Sequence, residues 1–183
     1  MKGWVLPIVI GVAIAFTIRT FIVSPAHVPS ASMYPTIPAT SYSNQAFLLE
    51  NKLATEFGTI HRGEVVIFHW PDKPSELLVK RVIGLPGDTV TVTQDAVYIN
   101  GKKLIESNPD IAKTNGYAVG TFHVPEGHYF MLGDNRTNSD DSRLWTNKYV
   151  ARSEIVGEAQ VILYPWRSIG LISQSVSATP TRS

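Results

Sequence analysis

The sequence predicts a mainly β protein, an all-β barrel or sandwich preceded by one long apolar helix. Three observations lead to this. The first twenty-three residues contain an apolar run long enough to cross a bilayer. Beyond it the apolar runs are short and bounded by Gly, Pro, Asn and Asp. No long soluble stretch carries the 3.6-residue apolar period of an amphipathic helix. The length of 183 residues suits one domain and an appendage, and an apolar content of 44% is ordinary for a globular chain.

Several functional classes fall away at this level. The net charge is +1 and basic residues do not cluster with aromatics, so nothing points to nucleic acid. There are no cysteines. Disulfides, thiolate metal sites and a cysteine nucleophile are therefore excluded, and the lack of cysteine is compatible with an extracytoplasmic location. No internal repeat is present.

Taken in order, Trp4 to Val23 is a twenty-residue run with one charge, Arg19. As a helix it rises ~30 Å, the thickness of the hydrocarbon core. Arg19 lies near one end, where its stem can carry the guanidinium to the interface. Lys2 precedes the run and no lysine or arginine follows it until Lys52, so residues 1–23 are expected to be an anchor with a cytoplasmic N-terminus. A cleavable leader ending at Ser24-Pro25-Ala26 is the competing reading; the length of the run and the proline between the two small residues argue against it.

Val28 to Ile37 carries Pro29 and Pro35, each fixing its own φ and biasing the preceding residue away from helix. The segment is expected to be a stiff extended loop that displays Ser30 and Ser32. Strands are expected at Gln45–Leu49, Glu64–His69, Leu77–Ile83, Thr89–Thr93, Val97–Ile99, Lys102–Ile105, Thr121–Val124, Tyr129–Leu132 and Ile155–Leu163. Pro86-Gly87 suits a type II turn, and Asn100-Gly101 is a strong hairpin signal. Residues 106–120 read as loop, and the Ser/Thr-rich stretch 173–183 as a disordered tail.

Two further stretches could carry chemistry. In Leu77–Ile83, strand alternation puts Lys80 between Leu78 and Val82 on one face, and Arg81 with Val79 and Ile83 on the other. A lysine on an apolar face loses hydration, which disfavours its charged form; the plain alternative is an edge lysine that reaches water. The other stretch, Gly133 to Arg143, is densely polar directly after an apolar strand. A Ca²⁺ loop fails there, because arginine, serine and tryptophan fall where a carboxylate or amide, a glycine and a glutamate are needed. A hydrogen-bonded turn with Asp141 and Arg143 paired across it remains. A serine nucleophile needs a base. His27 has no acid near it in sequence, and the other histidines show no spacing that pairs them with Ser32. A desolvated lysine is the other base that works with serine.

Together these stretches resemble the type I signal peptidases, membrane-anchored Ser–Lys proteases. Ile18-Arg-Thr-Phe closes the apolar run; Pro29-Ser-Ala-Ser-Met-Tyr-Pro-Thr follows, then Arg62-Gly-Glu-Val-Val-Ile-Phe, Val79-Lys-Arg-Val-Ile-Gly-Leu-Pro-Gly-Asp, and Gly133-Asp-Asn-Arg through Asp141-Ser-Arg. Five boxes in order are far more specific than any one of them. The resemblance implies a β-barrel-like catalytic domain over residues 24–172 with a small β excursion at about 91–126. It implies Ser32 as nucleophile and Lys80 as general base. Ser30 would help form the oxyanion hole, Ser139 would hydrogen-bond the lysine ammonium, and Asp141 and Arg143 would be a supporting ion pair. Val28 and Val79 would line shallow pockets for small substrate residues.

The partners implied are signal peptides of exported preproteins and membrane lipid, with no nucleic acid, metal or organic cofactor. The chain departs from the family pattern at Ala26, at Ala31 and at Thr146-Asn147-Lys148. A maturation peptidase dedicated to one secretion or conjugation system, a LexA-like self-cleaving protein and a non-catalytic membrane-tethered module are the alternatives. The apolar run and the lack of a DNA-binding region argue against the second, and intact Ser32 and Lys80 against the third.

Overall fold

The structure is a computed structural model that describes residues 4–21, 23–41, 44–56, 58–106, 111, 114–115, 117–173 and 176–178. The chain runs helix α1 (Val5–Phe21), strand β1 (Val23–Val28), a 3-10 turn at Ala31–Met33, β2 (Ala46–Asn51), the short helix α2 (Lys52–Glu56), β3 (Val65–Trp70) and β4 (Lys73–Gly84). It continues with β5 (Thr89–Val92), β6 (Val97–Ile99), β7 (Lys102–Glu106), β8 (Gly120–His123), β9 (His128–Leu132), β10 (Val150–Ala151), β11 (Ile155–Tyr164), β12 (Gly170–Leu171) and β13 (Val176–Ala178). The protein is mainly β.

Two sheets carry the fold. The larger has the order β1-β2-β11-β3-β4-β9-β10, with β12 added to β11; the smaller has the order β13-β7-β6-β5-β8. All described pairings between these strands are antiparallel. The apolar run Val65–Phe68 shows why the larger sheet is stable. Val65 and Ile67 enter one core, with Val28, Met33, Ile37 and Leu48, while Val66 and Phe68 enter another, with Val82, Met131 and Trp145. A strand buried on both faces reads as continuous apolar sequence. The smaller sheet packs a third core, from Val90, Val97 and Leu104, onto Ile83 and Phe130 of the larger.

The turn chemistry is as the residues demand. Asn100 and Gly101 both take positive φ between β6 and β7, and Gly87 takes φ +82 with the Asp88 N–H bonded to the Leu85 carbonyl.

Three expectations need correction. The apolar helix has 17 residues, and Val23, expected within it, already pairs with Asn51 in β1. Val23 is β-branched and Pro25 holds Ser24 out of helix, so the chain turns extended here. Among the described residues no helix is long and apolar enough to cross a membrane. The side chain of Arg19 falls outside the described residues. Second, Ser32 does not lie in extended chain: Ser30 is extended, but Ala31–Met33 closes one 3-10 turn. Third, Val176–Ala178 within the expected disordered tail is a strand, paired with Leu104–Glu106. The open edge of β7 offers unpaired backbone groups that a short β-compatible segment can cover. The expected loop at 106–120 lies partly outside the described residues.

The two sheets meet at Gly84, where β4 ends. A Cβ there would stand 2.7 Å from Val90 Cγ2, 2.8 Å from Val124 Cγ2 and 2.9 Å from Phe130 Cβ. Gly84→Ala is therefore an overpacking change, expected to destabilise by ~1–3 kcal/mol. Urea unfolding followed by tryptophan fluorescence checks it, with a lower midpoint expected; an unchanged midpoint would mean that the junction repacks freely.

Candidate active site

The Ser32 hydroxyl is held from two sides. Below it, Met33 and Ile37 are fully buried in the first core, and the Ile37 N–H bonds to the Met33 carbonyl at 2.9 Å. Above it, the Asn135 N–H donates to the Ser32 carbonyl at 3.0 Å and the Asn135 side chain donates to the Ala31 carbonyl at 3.1 Å. The polar loop after β9 thus pins the 3-10 turn. Gly133 leaves room for this approach, since a Cβ there would sit 2.5 Å from the Ser32 carbonyl oxygen.

Lys80 comes from β4, and its Nζ donates to Ser32 Oγ at 2.6 Å. Ser32 is 8% and Lys80 3% exposed. Burial lowers the Lys80 pKa from 10.5 to about 8, against the opposing pull of Asp141, Asp140 and Asp134, and Arg143 lowers it further. Ser30 Oγ lies 3.1 Å from Ser32 Oγ. None of the five histidines bonds to Ser32. His27 Nε2 is engaged with Gln45, His61 with Glu64, His69 with the Pro74 carbonyl, His123 with Thr89 and His128 with the Glu126 carbonyl.

Asp141 and Arg143 form a bidentate pair, Nε to Oδ1 and Nη2 to Oδ2, each 2.8 Å, with both side chains fully buried. The Gly133 N–H donates to Asp141 Oδ2, and Arg143 also donates to the carbonyls of Arg136 and Tyr117. The hydrogen bond that the resemblance implies between Ser139 and Lys80 is not made. Ser139 Oγ is buried without a partner, facing the Gly133 α-carbon, while the Lys80 amine is committed to Ser32.

A second buried pair joins Arg81 to Asp134, a pairing that no sequence motif announces. Arg81 donates to Asp134 from Nε (2.8 Å) and Nη2 (2.6 Å), and to the carbonyls of Gly63 and Ser173 from Nη1. Placing Arg81 on an apolar face was already a signal, because a buried guanidinium demands a carboxylate. A third pair, Arg136 with Glu106, ties the same loop to β7. Burial pushes the Glu106 carboxyl up, and the Arg136 guanidinium opposes this.

Two clefts adjoin the dyad. One, of about 310 Å³, is lined by His27–Ser30 and Glu76–Lys80, and so includes both Val28 and Val79. The other, of about 400 Å³, is lined by Ala31, Ser32, Thr40, Trp70, Asn138 and Asp140, and shares Ser30, Leu78 and Lys80 with the first. The first lies between two unpaired strand edges. Among the described residues β1 pairs only with β2, and β4 meets β9 only from Arg81 onward. A larger cavity at Thr55, Arg152 and Ile155 contains neither Ser32 nor Lys80.

A serine hydroxyl touching a desolvated amine, at the floor of a groove fitted to extended chain, is the equipment of a serine endopeptidase. The family described as signal peptidase, peptidase S26, matches residues 1–165, and the chain belongs to that family. It is 38% identical over 170 residues to a probable signal peptidase I-2 of Synechocystis sp., covering 90% of this chain and 74% of the relative. It is 39% identical to a signal peptidase I of Bacillus amyloliquefaciens (91% and 86% covered) and 37% identical to signal peptidase I S of Bacillus subtilis (91% and 90% covered).

Removing one partner of the buried Asp141–Arg143 pair strands the other charge. Asp141→Ala should cost ~3–5 kcal/mol, seen as a lowered melting temperature with activity lost in parallel. In whatever fraction stays folded, the pH–activity profile should move to lower pH, because Asp141 is the foremost of the carboxylates that favour charged Lys80. Unchanged melting with abolished activity would instead make Asp141 a direct participant.

Proposed function

We propose that this chain is a membrane-anchored serine endopeptidase that removes signal peptides from exported preproteins after small residues, with Ser32 as nucleophile and Lys80 as general base. The carrying observation is the Lys80 amine, buried and 2.6 Å from Ser32 Oγ. In its neutral form the amine accepts the Ser32 proton across that contact, and Ser32 Oγ attacks the scissile carbonyl. The oxyanion is received by the Ser30 hydroxyl and the Ser32 N–H. The Lys80 ammonium then protonates the leaving amine and, neutral again, activates the water that releases the acyl group. These steps call on no metal or organic cofactor.

The substrate enters as an added strand between the edges of β1 and β4, where main-chain hydrogen bonds hold it and alternate side chains face Val28 and Val79. The segment that ends with helix α1 at Phe21 forms the anchor, with the N-terminus cytoplasmic and the chain from β1 onward outside. Support comes from the charge asymmetry about the run and from Trp4, Leu6, Ile8, Val12 and Phe16 of the α1 region, all exposed and all apolar. The exposed aromatics Phe47, Tyr164 and Trp166 follow one another in edge-to-face contact beside His27, where β1 leads into the nucleophile turn. Such a row suits the headgroup level of a membrane, close to the cleavage site.

The deciding experiment is kcat/KM against pH on an Ala-x-Ala signal-peptide substrate. Only neutral lysine accepts a proton, so activity should rise with pH through about 8 and level off above it. Lys80→Arg, folded by circular dichroism, should be inactive at every pH, because a guanidinium with pKa above ~12 stays charged. Retained activity would remove Lys80 from the role of base.

Ser139→Ala offers a separate check. Deleting a buried, unpartnered hydroxyl should leave the melting temperature unchanged or raised. Should that hydroxyl turn to receive the Lys80 ammonium during turnover, kcat should fall about ten- to a hundredfold, the worth of one hydrogen bond to a charged group. Full turnover would make Ser139 a packing residue only.

A further inference from the structure

We infer that the cleft beyond Ser32 binds the first residues after the cut and that Asp140 selects a basic side chain there. The inference rests on the endopeptidase reading above. An extended substrate lying between His27–Ser30 and Glu76–Lys80 reaches the dyad where both segments end, at Ser30 and Lys80. The acylated half stays in that cleft, against Val28 and Val79. The chain beyond the scissile bond must leave past Ser32, and the cavity that continues there is the one lined by Ala31, Ser32, Thr40, Trp70, Asn138 and Asp140.

Its chemistry differs from that of the first cleft. Trp70 is half-buried and offers an indole, while Asn138 and Asp140 are exposed. Asp140 enters no ion pair among the described residues, in contrast to Asp134 and Asp141, which are each consumed by an arginine. The only cation lining the cavity is Lys80, which must be neutral to act as base and is committed to Ser32. A cavity lined by an uncompensated carboxylate and an aromatic ring suits a lysine or arginine side chain, by charge and by cation–π contact.

The test uses the full chain in detergent and a set of signal-peptide substrates identical up to the cut, with Lys, Ala or Glu at the first or second position after it. The wild type should cleave the Lys peptide about two- to fivefold more efficiently than the Ala peptide, the scale of one solvent-exposed ion pair. The Glu peptide should be poorest, and the spread should shrink in high salt. Asp140→Asn should collapse the spread, and Asp140→Lys should reverse it. Equal efficiencies for all three peptides in the wild type would overturn the inference while leaving the endopeptidase reading intact; failure to cleave any of them would overturn both. If Asp140 acted only through Lys80, its substitution would change all three peptides by the same factor and preserve their ratios, which would also overturn it.

Discussion

The structure depends on keeping the Lys80 amine out of water beside carboxylates that would charge it. Asp141, Asp140 and Asp134 all favour the ammonium, yet burial outweighs them. Two of the three carboxylates also carry an arginine. Asp134 is clasped by Arg81 and Asp141 by Arg143, each through two hydrogen bonds with both side chains buried. Asp141 still exerts the strongest pull of the three, but Arg143, which holds it, works against the lysine charge. Buried pairs of this kind are poor sources of stability, because desolvation cancels much of the attraction. Their use here is to let a polar loop approach a lysine without protonating it.

The same stretch of chain explains why this amine sits where a peptide can reach it. From Lys73 to Leu77 strand β4 is exposed, and from Lys80 to Gly84 it is buried. The change falls where β9 begins to pair, at Arg81. Lys80 is thus the first buried residue of the strand and the last whose flanking edge remains open. One residue earlier or later, strand alternation would carry the amine to the opposite face of the sheet. Ser32 meets it there because Met33 and Ile37 anchor the 3-10 turn in the core while Asn135 fixes its carbonyls.

Much of this was legible in the sequence where period and turn chemistry carry the signal. Apart from the two-residue β10, the strands from Ala46 to Tyr164 follow short apolar runs, and the Asn100-Gly101 hairpin follows from the positive φ that only such residues take easily. The elements that were missed lack a local signal. β1 contains Ser24, Pro25 and His27 and is a strand because β2 lies beside it. β13 exists because β7 leaves an edge. Ser32 reads as extended chain between two prolines, and its single 3-10 turn is imposed by burying Met33 and Ile37. The Ser–Lys pairing was readable only through the resemblance of the whole set of boxes, since 48 residues separate the two. The apolar face around Arg81 signals that some carboxylate must meet it, but not which one, since 53 residues separate Arg81 from Asp134.

Asp140 and Asp141 carry one lesson further. They are adjacent, chemically identical and both close enough to favour the Lys80 ammonium. Asp141 points inward, takes the Gly133 N–H and Arg143, and is part of the scaffold. Asp140 points into the cleft and is left with solvent or substrate as its partner. A cation arriving beside Asp140 would cancel the one carboxylate field at the lysine that no arginine already meets. Substrate binding and deprotonation of the base would then be coupled through a single exposed side chain, with the coupling favouring the neutral amine when a basic residue follows the scissile bond. Burial sets how far the Lys80 pKa is lowered at rest, with Asp141, Asp140 and Asp134 opposing it, and a cation beside Asp140 would remove one part of that opposition.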